Sequence, residues 1–296
     1  MKILVTGAAG QLGSYIVESL SKEHEVSCLD LRKPAKPVKG VKFTVGDIGD
    51  YRLAMDLCRG SDAVIHTAAQ VSVDRSISDP VFDARENILG TVNMLETATK
   101  SMVGQFIYIA SAAMYGTPQK IPVGEDHPLR PLSPYGVSKL AGENYAFAFG
   151  ATYGLGVTSI RPFNIYSPRQ DPESPYSGVI TRFVDRVREG KPPVIQGDGS
   201  QTRDFVHATD VVGMIGLCLG NPDAKGQAFN CGTGKGVSIR ELAGIIAELS
   251  GKDLEPEMAP ARKGDIRDSV ADISKAKKVL GYKPAVTLKK GLGQLV

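Results

Sequence analysis

Tyr135 and Lys139 stand four residues apart in a stretch with helical spacing, which puts a phenol and an ammonium on one face, a single turn apart. A free phenol titrates near ~10, so a base working near neutrality needs roughly three pH units, or about 4 kcal/mol, of preferential stabilisation of its phenolate. A neighbouring ammonium, and any further cation bound beside the phenol, act in that direction. Ser111, at the end of an earlier apolar run, offers a hydroxyl that can hold the same substrate oxygen while its proton moves. A tyrosine and a lysine at this spacing are often plain surface residues of a helix, so the surrounding sequence has to decide.

Thr6-Gly7-Ala8-Ala9-Gly10-Gln11-Leu12-Gly13 follows the opening apolar run and leads straight into a helical pattern. A dinucleotide pyrophosphate needs backbone N–H groups at a helix N-terminus. It also needs glycines there, because a Cβ would block the tight turn and the close approach. Asp30 closes the next apolar run, where a carboxylate accepts hydrogen bonds from both adenosine ribose hydroxyls and repels a 2′-phosphate, which favours NAD over NADP. Arg32 pulls the other way, since it can pair with a phosphate, but it would have to overcome Asp30. Gly46-Asp47-Ile48 reads either as a holder of the adenine amino group or as a simple turn.

These residues need elements to position them. Strand-like apolar runs at Lys2–Thr6, Glu25–Leu29, Val41–Val45, Ala63–Thr67, Gln105–Ala110 and Val157–Pro162 alternate with helical patterns at Gln11–Ser21, Tyr51–Arg59, Val81–Lys100 and Pro134–Tyr153. The order implies an α/β fold, a doubly wound parallel Rossmann sheet with crossover helices. After about residue 165 the rhythm shifts to Pro- and Gly-rich segments (Ser167–Gly178, Lys191–Ser200), which reads as a smaller C-terminal α/β lobe. Asp210–Leu219 and Ala228–Gly232 return to the first unit, whereas Ser238–Ser250 and Ile273–Leu280 read as helices of the second. The division is therefore residues 1–165 plus about 208–235 for the dinucleotide, and 166–207 plus 236–296 for the substrate, with a ligand cleft between.

Bulk composition fits a globular enzyme: 296 residues, 42% hydrophobic and 23% charged. Lys plus Arg number 35 against 32 Asp plus Glu, with no basic stripe, so nucleic acid is not an expected partner. No apolar run is long enough to span a membrane, and the N-terminus enters a strand without a signal peptide's regions, so a cytoplasmic location is expected. Cys28, Cys58, Cys218 and Cys231 form no CxxC pair, and His24, His66, His127 and His207 show no ligand spacing, so neither a disulfide framework nor a metal is expected. His66 and His207 read as structural histidines rather than bases.

Taken in order, the Gly7–Gly13 loop, His66-Thr67-Ala68-Ala69, Asn87 with Gly90-Thr91, Ser111-Ala112-Ala113-Met114-Tyr115-Gly116, Tyr135–Lys139, Arg161–Tyr166, Gly197-Asp198-Gly199 and Arg203-Asp204-Phe205 resemble the extended short-chain dehydrogenase/reductase family. Within it they are similar to the NAD-dependent epimerase/dehydratase group, over essentially the whole chain. The resemblance implies a Rossmann domain carrying NAD and a lobe carrying a nucleotide sugar. It implies a catalytic set of Ser111, Tyr135 and Lys139. It implies cofactor contacts at Gly7, Gly10, Gln11, Leu12, Gly13, Asp30, Leu31, Asp47, Ile48, Thr67, Ala68, Ala69, Asn87, Tyr135, Lys139 and Pro162. Substrate contacts are implied at Ser111, Ala112, Tyr135, Asn164, Val179, Arg203, Arg262, Asp265 and Ser269. Arg203 and Arg262 would clamp a pyrophosphate by fork contacts, the alternative for each being a surface ion pair.

Dehydratases of this group carry a Thr-Asp-Glu trio where this chain has Ser111-Ala112-Ala113. A methyl side chain is neither acid nor base, so dehydration is disfavoured and oxidation with re-reduction at one carbon remains. The expected activity is 4-epimerisation of a UDP-hexose through a 4-keto sugar with NAD recycled, the Glu125–Tyr135 and Arg161–Tyr166 stretches being most similar to UDP-glucose 4-epimerases. Other NDP-sugar epimerases or reductases, a UDP-glucuronate 4-epimerase among them, and a non-catalytic NAD-binding sensor are the alternatives. Ser269 stands where such epimerases bound the pocket beside the sugar's 2-substituent, and its small side chain leaves room for N-acetylhexosamines. Three departures from the family pattern, Ala110, Ser167 and His207, remove no proton-transfer group. The chain ends soon after Leu292, earlier than many relatives, which leaves the last helix unsupported by the pattern. The resemblance also implies a homodimer through Val81–Lys100 and Pro134–Tyr153.

Overall fold

A computed structural model describes residues 1–170, 178–252, 254–261 and 266–296. The chain opens with β1 (Lys2–Thr6), α1 (Gln11–Leu20), β2 (Glu25–Asp30), β3 (Lys42–Val45), α2 (Tyr51–Cys58) and β4 (Ala63–His66). α3 (Val73–Ser78), α4 (Pro80–Ala84), a π turn at Arg85–Leu89 and α5 (Gly90–Lys100) lead to β5 (Gln105–Ile109), a tight turn at Ala112–Tyr115, α6 (Pro134–Tyr153) and β6 (Gly156–Pro162). Next come β7 (Asn164–Tyr166), α7 (Val179–Arg188), β8 (Val194–Gln196), β9 (Thr202–Arg203), β10 (Phe205–His207), α8 (Ala208–Cys218) and β11 (Gln227–Cys231). β12 (Val237–Ser238), α9 (Ile239–Ser250), β13 (Glu257–Ala259), β14 (Asp268–Ser269), α10 (Ser274–Leu280) and α11 (Leu288–Leu292) complete it.

The large sheet runs β11-β6-β5-β4-β1-β2-β3, and every pair in it is parallel. Alternate residues of each strand face opposite layers. Ile3, Val5, Ile65, Ile107 and Ile160 pack with α1 and α8, through Ile16, Val17, Val211 and Ile215. Leu4, Val64, Phe106 and Tyr108 pack with α2, α5 and α6, through Ala54, Met94, Leu95 and Ala146. Both faces are covered, which is why these strands read as unbroken apolar runs. A separate core of Ile180, Phe183, Val184, Ile195, Phe205, Leu242, Ile246 and Leu292 holds the smaller lobe together.

One expectation is refined by the structure and another differs from it. Val81–Lys100 is helical throughout, with Asp79 capping its start by accepting from Phe82 N at 3.0 Å, and a π turn at Arg85–Leu89 is set within it between α4 and α5. The extra residue of a π turn rotates the buried Asn87 inward, and such turns recur at functional sites. Ile273–Leu280 was expected with the smaller lobe, but Ala276 and Leu280 belong to the core that includes Phe229 and Cys231 of β11. α10 thus covers the edge of the large sheet, where β11 would otherwise show an apolar face to water.

Candidate active site

The order of the large sheet reverses between β1 and β4, whose loops leave the carboxyl edge on opposite sides of a crevice. The expected groups follow the carboxyl ends of five strands: Gly7–Gly13 after β1, Asp30 at the end of β2, Thr67–Ala69 after β4, Ser111 after β5 and Asn164 after β6.

The glycine loop fits a dinucleotide. Gly7 sits at φ +68°, a left-handed conformation, and a Cβ there would stand 2.6 Å from the backbone nitrogen of Ala68. A Cβ at Gly13 would run into the Gly7 carbonyl. No side chain caps the first turn of α1, so its leading N–H groups are presented to whatever binds before it. Asp30 faces the loop: its Oδ2 accepts from Ala9 N at 2.9 Å and its Oδ1 from Arg32 N at 3.1 Å. Both oxygens keep lone pairs for ribose hydroxyls. Thr67 Oγ1 donates to Thr6 O at 2.6 Å and pins the Ala68–Ala69 turn to β1. Leu31 is exposed at the rim, Ile48 O accepts from Asn93 Nδ2, and Asp47 Oδ1 accepts from Gly49 N at 2.7 Å. Pro162 is buried at the end of β6, beside Cys231.

Asn87 spends its side chain on protein partners. Its Oδ1 accepts from Gln70 N at 2.8 Å, and its Nδ2 donates to Gln70 O at 2.9 Å and to Ser138 Oγ at 3.0 Å. It ties the Ala68–Ala69–Gln70 turn to the helix bearing the tyrosine.

α6 starts at Ser133, whose hydroxyl accepts from Gly136 N at 3.1 Å, with Pro134 in the first turn. That start places Tyr135 and Lys139 on the face turned to β5. Tyr135 shares a hydrogen bond with Ser111, and Ser111 Oγ also accepts from Ala113 N at 3.2 Å. Burial pushes the Tyr135 phenol up, the Ser111 hydrogen bond lowers it, and the Asp83 carboxylate raises it. Lys139 is 4% exposed, its Nζ 4.7 Å from the Tyr108 ring centroid. Burial pulls its ammonium down to about 7, opposed by Asp83 and then Glu143. His66 is held between Thr6 Oγ1 (2.8 Å from Nδ1) and Thr91 Oγ1 (3.1 Å from Nε2). Burial and then Lys139 lower it to about 3, so it is neutral and structural. His207 is likewise structural, capping α8 with Nδ1 accepting from Thr209 N at 3.3 Å.

In the smaller lobe a cavity of about 420 Å³ is lined by Asn164, Val179, Arg182, Arg186, Gln196, Gln201 and Arg203, among others. Asn164, Val179 and Arg203 were anticipated. Ser269 pairs with Arg203 across β14 and β9, and its carbonyl accepts from Asp204 N at 2.8 Å. Arg262 and Asp265 lie outside the described residues.

The model of the NAD-dependent epimerase/dehydratase family matches residues 3–232. The UDP-glucose 4-epimerase of Mycolicibacterium smegmatis is 41% identical over 100% of this chain and 97% of its own length. Among solved structures, the UDP-glucose 4-epimerase of Thermotoga maritima with UDP-glucose superposes with a TM-score of 0.94 at 36% identity, covering 100% of this chain and 97% of that one. That of Thermus thermophilus, in complex with NAD, does so at 0.90 and 37%, with the same coverage.

The chain belongs to the NAD-dependent epimerase/dehydratase family.

Several residues in or beside the candidate site of this family member carry no motif signal. Arg182 and Arg186 line the cavity from α7 but read in the sequence as the polar side of an amphipathic helix. Glu143, one turn beyond Lys139, is paired with Arg161 at 2.6 Å and 2.9 Å and accepts from Ser159 Oγ at 2.6 Å, all buried. Asp83 stands four residues before Asn87, a helical spacing that could have drawn attention to it.

Proposed function

We propose that this chain interconverts the C4 epimers of a UDP-hexose, with UDP-glucose and UDP-galactose as the principal pair, through a transient 4-keto sugar. One observation carries the reading: Tyr135 and Ser111 form a hydrogen-bonded pair beside a buried Lys139, while positions 112 and 113 hold only alanine.

Bound NAD supplies the hydride acceptor and donor at its nicotinamide ring, which is positively charged when oxidised. Every proton step belongs to the protein. Tyr135 takes the proton of the C4 hydroxyl, while Ser111 donates to the same oxygen and keeps it in line. Burial, and after it the Asp83 carboxylate, holds the Tyr135 phenol up against the Ser111 hydrogen bond, so phenolate character depends on positive charge gathering around it, Lys139 included. Tyr135 returns its proton to the C4 oxygen after the keto sugar has turned over, and the cycle closes without net oxidation. With no carboxylate next to Ser111, nothing protonates and expels a neighbouring sugar hydroxyl, which argues against dehydration.

The substrate residues are assigned with the same reading. Arg203, with Arg262, clamps the pyrophosphate, Asn164 and Val179 contact the nucleotide sugar, and Ser269 leaves space beside its 2-substituent for an N-acetyl group. Residues 1–165 with about 208–235 carry the cofactor, joined by α10, and the remaining C-terminal residues carry the nucleotide. A homodimer through α4–α5 and α6 is supported by exposed apolar side chains, with Val81 78%, Leu89 64%, Val137 50% and Tyr145 45% exposed. Among the described residues no helix is long and apolar enough to cross a membrane, in keeping with work in the cytoplasm.

The test is to incubate the pure protein with UDP-, dTDP- and GDP-sugars and follow the C4 configuration by proton NMR. Interconversion of UDP-glucose and UDP-galactose without net consumption of a nicotinamide cofactor is the expected result. Stoichiometric consumption, or no exchange with any sugar, would overturn it.

A further inference from the structure

Asp83, on α4, is 1% exposed. Among the described residues it takes part in no ion pair within 4.0 Å; what it has are neutral donors. Its Oδ1 accepts from Gln70 Nε2 at 2.8 Å and from Asn87 Nδ2 at 3.1 Å. A carboxylate buried this way is costly, by several kcal/mol for an uncompensated ion, and is rarely kept for packing alone. Its partners lead to the active site. Gln70 continues the Ala68–Ala69 turn, Asn87 stands in the π turn, and the same Asn87 amide donates to Ser138 Oγ at 3.0 Å, beside Lys139. Gln70 Nε2 also donates to Ser72 O at 2.8 Å, which closes the network on the start of α3.

The other buried carboxylate near Lys139 is already matched. Glu143 is held by Arg161 of β6 through two hydrogen bonds, so its charge is largely taken up. The remaining groups facing Lys139 are Tyr108 of β5, His66 of β4 and Tyr135 on its own helix. Asp74 and Arg75 on α3 and Arg85 of the π turn are exposed, and Glu86 pairs with Arg85 at 3.0 Å. Asp83 is therefore the unmatched negative charge on the protein side of the Tyr135–Lys139 pair.

We propose that Asp83 is a positioning residue for the proton transfer, holding Lys139 as an ammonium across the buried gap and fixing the first turn of α6 through Asn87. This rests on the epimerase reading for its role in turnover, but not for the charge coupling itself. Burial lowers Lys139, and Asp83 is the larger of the two carboxylate influences opposing that; Asp83 also raises Tyr135. Removing its charge should carry both groups to lower pH together.

The test is Asp83→Asn, which keeps an acceptor for Gln70 and Asn87 and removes only the charge. Two readouts are taken: the pH profile of kcat/KM for UDP-glucose, and the titration of the near-ultraviolet tyrosinate signal that Tyr135→Phe abolishes. Both limbs of the profile and the tyrosinate midpoint should move to lower pH by about half a unit or more, a threefold to tenfold loss of rate on the alkaline side. Asp83→Glu, which keeps the charge, should restore wild-type midpoints. A loss of rate by one factor at every pH, with an unmoved tyrosinate midpoint, would mean a mere buttress and overturn the proposal. If the wild type turns over no nucleotide sugar, the epimerase reading fails, and the tyrosinate titration still decides the coupling. Asp83→Ser gives the same two readouts should the asparagine variant not fold.

Discussion

Around Tyr135 and Lys139 the protein is built from parallel strands of four to seven residues, covered on both faces, with His66, Asn87 and Glu143 each held by hydrogen bonds. Around Arg203 the strands are two or three residues long and the cavity is lined by long arginine and glutamine side chains. The first region is the kind of rigid setting that the proton transfer proposed for it would need. Under the proposed function the second would recognise its ligand through long, charged side chains that stand outside the large sheet. On the proposed function, chemistry would be anchored in the large sheet and choice of substrate in the loop-rich lobe.

Variants that break each side separately sharpen this contrast. The largest effect is expected in the rigid half. Arg161→Met leaves Glu143 buried without its counter-charge and should cost about 3–5 kcal/mol of folding stability, read from urea unfolding. A change below about 1 kcal/mol would show the pair to be idle. In the adaptable half, Arg203→Ala should leave the urea midpoint near that of the wild type and lower kcat/KM for UDP-glucose by about 10–100-fold, mostly through KM, as the loss of charge-assisted hydrogen bonds predicts. A fall in kcat alone would place Arg203 in the chemistry instead. Ser269→Tyr should act more selectively, keeping turnover of UDP-glucose and losing that of UDP-N-acetylglucosamine; unchanged N-acetylhexosamine turnover would remove Ser269 from the pocket wall.

The smallest effect concerns pH. Lys139 is drawn down to about 7 by burial, so between about 7 and the ordinary lysine range the unfolded chain binds more protons than the folded one. The contribution of this site to stability therefore rises with pH across that window. The stability difference between wild type and Lys139→Met should shift in favour of the wild type from pH ~7 to ~9. A flat difference would contradict the depressed lysine.

Much of the first region could be read from residue order. The Gly7–Gly13 loop, Asp30, Ser111 and the Tyr135–Lys139 turn sit where strand ends and helix starts must lie, because short apolar runs and helical spacing fix them. The π turn at Arg85–Leu89 could not be foreseen, since the apolar rhythm of Val81–Lys100 runs on while the backbone gains a residue. Asp83 was hidden for a related reason: a buried carboxylate on a helix looks in sequence like any solvated one, and only folding shows which side faces inward. α10 was assigned to the wrong neighbour because an amphipathic helix declares that it has an apolar side, not which core receives it. In the smaller lobe strands of two or three residues are too short for any periodicity, and Arg182 and Arg186 became visible as cavity lining only through the fold.

The most direct test of the account is Tyr135→Phe, which deletes one oxygen and leaves the packing of α6 in place. Proton NMR of UDP-glucose with this variant, alongside its melting temperature and NAD content, should show an intact, NAD-binding protein that forms no UDP-galactose. Exchange at the wild-type rate in that variant would contradict the assignment of the proton transfer to Tyr135 and the mechanism built on it.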